Sequence, residues 1–142
     1  MLLMNNQFLS NGFLLASLML LLTVTACKKN DDHDEDANDH DKPVLSITLP
    51  TDSMTYKHGD TVKIRGLVTD NSLHELFVSI VENTNDSVLF TDAPNVHDLS
   101  AFSIASNWKS QVTKLTNARV IVVAEDHNAN VTSDTIRIQV LP

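Results

Sequence analysis

The sequence predicts an all-β protein, a single antiparallel β-sandwich over residues 43–142, from three observations. Apolar and polar residues alternate in segment after segment, the period of a strand with one buried face. The segments are divided by residues that favour turns: Pro50, His58-Gly59-Asp60, Asp70-Asn71, Asn83 to Asp86 and Asp126 to Asn130. Nothing after residue 42 carries a convincing amphipathic-helix pattern. About one hundred residues suffice for one modest core and not for two domains.

The elements follow in order. Leu45, Ile47 and Leu49 point one way, with Ser46 and Thr48 opposite. Val62, Ile64 and Val68 alternate with Lys63, Arg65 and Thr69. Gly66 has the inward parity of that strand, which predicts a bulge or a close backbone approach. Leu76, Val78 and Ile80 form a third strand, and Phe77 and Val81 make it apolar on both faces. Phe102 and Ile104 come next, then the apolar run Ala118 to Ala124, then Ile136, Ile138 and Val140 against Arg137 and Gln139. Trp108 is expected to cover one end of the core.

Two segments precede the domain. Residues 1–26 contain the apolar stretch FLLASLMLLLTVTA, the length of a secretory signal core and short of the ~20 residues a spanning helix needs. No Lys or Arg flanks it on the N-terminal side. Residues 27–42 begin with Cys27, the only cysteine, and continue KKNDDHDEDANDHDK. Residues 28–42 carry three Lys and seven Asp/Glu, a net −4; residues 43–142 carry seven Lys/Arg and eleven Asp/Glu, again −4. With no large apolar residue, the acidic tract is expected to be a disordered, self-repelling tether. Its His33 and His40 invite a metal reading. A calcium loop fails there, because neither the turn glycine nor the terminal carboxylate is in place.

Val24-Thr25-Ala26-Cys27 resembles a bacterial lipobox, which implies that Cys27 is lipidated and becomes the mature N-terminus. Lysine and acidic residues after it resemble the export signal of surface lipoproteins in Bacteroidota. The resemblance implies an outer-membrane anchor with the domain on the outer face; a periplasm-facing lipoprotein is the alternative. The runs PVLSITLPTDSMTYKHGDTVKIRGLVTDNS and VVAEDHNANVTSDTIRIQV resemble bacterial immunoglobulin-like or cadherin-like modules. With SLHELFVSI, they are similar to a Bacteroidota lipoprotein domain family of unknown function. Asp52-Ser53-Met54, Asp60-Thr61-Val62, Asp86-Ser87-Val88 and Asp134-Thr135-Ile136 resemble the O-glycosylation motif of that bacterial group.

Enzyme signatures are absent: no glycine-rich phosphate loop, no nucleophile elbow, no H-E-x-x-H. The acidic balance argues against nucleic acid as a partner. The expected role is non-enzymatic binding of a partner protein, a glycan or outer-membrane assemblies. One constellation suggests more. If consecutive strands alternate in direction, His74, His97 and His127 come from three segments at one pole, with Asp70, Asp98 and Asp126 nearby. Three imidazoles and a carboxylate suit zinc or another borderline divalent metal. His74, His97, His127 and Asp126 are the candidate ligands. Against this, histidine and aspartate are ordinary turn residues, and His74 shares the inward parity of Leu76.

Overall fold

A computed structural model describes residues 40–142. Residues 1–26, expected to be a signal segment, Cys27 and the acidic segment to Asp39 lie outside the described residues. Eight strands and no helix make up the rest: β1 Val44–Leu49, β2 Met54–Lys57, β3 Thr61–Thr69, β4 Leu73–Glu82, β5 Val88–Asp92, β6 Ala101–Lys109, β7 Thr116–Asp126 and β8 Val131–Leu141. They form a three-stranded sheet, β1-β3-β6, and a five-stranded sheet, β2-β8-β7-β4-β5.

The alternation seen in the sequence becomes the core. Val62, Ile64, Val68 and Ile104 from one sheet meet Leu76, Val78, Ile80, Val120, Val122, Ile138 and Val140 from the other, all buried. Trp108 joins this core at the pole opposite the histidines, beside a cleft of about 290 Å³ that it lines with Leu89 and Val112. Ser106 is the polar residue on the inner face of β6; its hydroxyl donates to Asp92 Oδ2 at 2.6 Å.

Two strands were not visible in the alternation. β2 and β5 are four and five residues long, with no fully buried side chain to betray them. β2 also departs from the antiparallel expectation, because it pairs parallel to β8. The chain leaves β1, crosses to the other sheet at the cis bond Leu49-Pro50, and keeps its direction. β1 and β8 both start at the same pole, so β2 necessarily runs with β8.

Gly66 is the close approach its parity implies. A Cβ there would sit 2.5 Å from the Ser46 carbonyl oxygen and 2.9 Å from Ile47 Cδ1. The β1–β3 register shifts at this place, between Ile47 and Leu49. A second shift, with Leu89 as the extra residue of β5, lies opposite Ile80 and Val81; of the two apolar residues on the outer parity of β4, Val81 is buried and Phe77 is 46% exposed.

Candidate metal centre

The pole is built by backbone hydrogen bonds around the start of β4. Leu73, fully buried, donates its N–H to the Leu99 carbonyl at 2.9 Å and accepts from the Asp98 N–H at 2.9 Å. Ser72 accepts from the His127 N–H at 3.2 Å. Asp70 Oδ1 caps the turn by accepting from the Ser72 N–H at 2.9 Å. The 93–100 segment and the β7–β8 hairpin are therefore both fastened to one short piece of chain. Val96, 1% exposed, pins the first of them into the core.

Each histidine owes its direction to a local irregularity. The β4–β7 register shifts between Leu73 and Glu75, so His74 is the extra residue of a bulge. Both Leu73 and Leu76 remain buried, and His74 escapes the inward position that its parity with Leu76 implied. His97 follows an Asx turn in which Asn95 Oδ1 accepts its N–H at 3.2 Å. Asp98 then adopts a left-handed conformation, φ 63°, turning the chain back toward Leu73. His127 opens the β7–β8 hairpin, whose Ala129 is also left-handed at φ 61°.

The three rings converge. Centroids lie 4.8 Å apart for His74 and His127, 4.5 Å for His97 and His127, and 5.3 Å for His74 and His97. One ring nitrogen from each falls within 4.8 Å of the others. His74 Nδ1 is buried with no hydrogen-bond partner among the described residues. Asp98 completes the group: Oδ2 lies 2.9 Å from His97 Nδ1 and Oδ1 lies 3.0 Å from His127 Nε2. The hydrogen bond from His97, with the nearby His97 and His127 charges when protonated, holds the Asp98 carboxyl below the usual range. A cleft of about 240 Å³ adjoins the cluster, lined by His74, Phe77, Pro94 and His97 among others.

Asp126, the fourth candidate ligand, is not in the group that the three imidazoles form. Its side chain is 2% exposed and occupied by its own hairpin. Oδ1 accepts the N–H groups of Asn128 and Asn130, both at 2.8 Å, and Oδ2 accepts Asn130 Nδ2 at 2.7 Å. Asp126 shapes the turn that presents His127, and the carboxylate beside the imidazoles is that of Asp98. Its one sequence signal is adjacency to His97, which is weak in a loop rich in such residues. His58 sits at the opposite pole, its Nδ1 2.8 Å from the Val112 carbonyl oxygen.

The arrangement suits a metal of the zinc type on geometric grounds. Three atoms no more than 4.8 Å apart share a point within about 2.8 Å of each, against the ~2.0–2.1 Å of a zinc–imidazole bond. The gap to be closed is at most about 0.7 Å per nitrogen on average, within the reach of side-chain rotation. His97 has the freedom for it, with 51% of its side chain exposed; His127, at 13%, is the fixed point. Imidazole donors fit borderline transition ions and not calcium or magnesium, which require oxygen.

Comparison with known proteins supports the architecture. No protein-family model matches the sequence, and no curated protein matches it. Among solved structures, the chain is similar to an engineered protein, with a TM-score of 0.52 and 17% identity over 71% of this chain and 20% of that one. It therefore spans only about a fifth of that protein's length. Fibronectin(III)-like modules of CbhA from Clostridium thermocellum align at TM-score 0.46, with 19% identity over 70% of this chain and 47% of theirs. The domain is a β-sandwich of a three-stranded and a five-stranded sheet.

Proposed function

We propose that this chain is a non-enzymatic, lipid-anchored binding protein whose sandwich takes up a zinc-type divalent ion through His74, His97 and His127. The observation that carries the metal reading is the convergence of three imidazoles from three separate segments within 4.8 Å. A bulge, an Asx turn and a hairpin each aim one ring at the same place. Asp98 lies against both rings, its Oδ2 2.9 Å from His97 Nδ1 and its Oδ1 3.0 Å from His127 Nε2, the position of a carboxylate that orients a metal-bound histidine. The anchor reading rests on Cys27 and the residues before it. It places the domain at the outer membrane, surface-exposed, with a protein or glycan partner as its wider role.

Zinc titration of the purified protein followed by calorimetry tests the site. One ion per chain is expected, with H74A, H97A and H127A each weakening uptake by at least tenfold, as outer-partner losses alone cost about 10–100-fold. Zinc at a hundred times its Kd should stabilise the fold by about 2.7 kcal/mol. A wild-type protein that binds no zinc, cobalt or copper overturns the reading. The anchor is tested separately: fatty-acid labelling should vanish in C27S.

A further inference from the structure

We propose that His40, in the acidic segment leading into the sandwich, supplies a fourth nitrogen, so that the bound ion fastens this segment onto the histidine pole. The inference rests on the reading of His74, His97 and His127 as ligands and asks what completes their coordination. A tetrahedral ion needs four donors, and these three leave one position open. Asp98 is engaged through Oδ2 by the His97 ring at 2.9 Å, which suits an orienting carboxylate; its Oδ1, 3.0 Å from His127 Nε2, is the competing fourth donor that the D98A variant tests.

Strand register and chain length together give His40 the reach. Val44 pairs with Thr69, Thr69 with Ala101, and Leu73 with Asp126, so the chain enters the sandwich at the histidine pole. Pro43 is buried and fixes that point, and residues 40–42 are exposed. β1 packs across from β8, while the cluster stands at the ends of β4 and β7. One sheet separation of ~10 Å and one or two strand spacings of ~4.8 Å put the start of β1 about 11–14 Å from the cluster. The four residues from Val44 back to His40 span about 13–14 Å extended, before the imidazole adds its own length. A donor held so close on a short leash has a high effective concentration at the site. Asp39 and Asp41 flank His40 in sequence and bring negative charge to an ion otherwise held by neutral nitrogens.

The test uses the full chain in detergent micelles, with cobalt(II) as a spectroscopic probe and zinc competition for affinity. H40A should lose at least tenfold in affinity, together with the intense visible absorption of four-coordinate cobalt, and millimolar imidazole should restore the absorption. H33A should behave as wild type, and metal-free H40A should melt with wild type. If H40A binds and absorbs as wild type while H74A no longer binds, the tether inference is wrong and the three-histidine site stands. Loss on H33A in place of H40A also overturns it, as does loss of the four-coordinate spectrum in D98A with H40A unaffected. A wild-type chain that takes up neither ion overturns both readings.

Discussion

Replacing Asp126 by alanine separates a structural role from a ligating one at the histidine pole. Three charge-assisted hydrogen bonds end on this carboxylate, at 2.7–2.8 Å, and the side chain is 2% exposed. Hydrogen bonds to a charged group contribute about 1.5–3 kcal/mol each, but burying the carboxylate offsets part of that sum. Asn128 is exposed and Asn130 half-buried, so water replaces some of the lost acceptors. A loss of about 2–4 kcal/mol follows, near the range for breaking a buried charged network. At ~4 °C or more per kcal/mol for a domain near one hundred residues, the melting temperature should fall by at least about 8 °C. The assay is thermal melting of metal-free D126A and D126N beside wild type. D126N keeps an acceptor for the two N–H groups and turns an amide donor toward Asn130 Nδ2, so it should fall between them. If metal-free D126A melts within about 2 °C of wild type, the carboxylate does not hold the hairpin. Its assignment as a ligand would then have to be reopened.

Two further predictions probe the frame of the domain. G66A should lose about 1–3 kcal/mol through overpacking against Ser46 and Ile47, although Ala in an open strand gains roughly 0.5–1 kcal/mol over Gly; a stabilised G66A would contradict the close approach. Asp52 is held at about 2, from an ordinary 3.8, first by the Arg137 guanidinium and then by the Arg137 backbone N–H. Because its folded value is depressed, its stabilisation is complete above the unfolded value near 3.8 and is lost as pH falls through about 2. Carboxyl titration by NMR should show this low value and its rise toward 3.8 in R137Q, and an ordinary value in the wild type would refute the pairing.

Much of the fold was legible because it rests on period-two alternation. Of the six strands read from Leu45, Val62, Leu76, Phe102, Ala118 and Ile136, the last five bury one face; β1 half-buries Leu45 and Ile47 and leaves Leu49 36% exposed beyond its register shift, and most of the turns fall where Gly, Pro, Asn and Asp stand. β2 and β5 escaped because short edge strands contribute hydrogen bonds more than buried side chains, and hydrogen bonding leaves little trace in composition. The site was half legible. Alternating strand direction sufficed to gather His74, His97 and His127 at one end. The same reasoning could not separate Asp98 from Asp126, since both are turn aspartates next to a histidine. The difference lies in where each carboxylate finds donors: Asp126 in its own hairpin, Asp98 across the gap between two loops.

The sequence by itself determined that this chain makes a β-sandwich, where six of its eight strands lie, and which histidines share a pole. Those properties follow from local alternation and turn chemistry, which act over a few residues. Only the tertiary structure decided that the three rings meet. That depends on a one-residue bulge at His74, a left-handed Asp98 and the docking of two loops on Leu73 and Ser72. Such features arise from register between strands distant in sequence, and a shift of one residue would have turned His74 into the core.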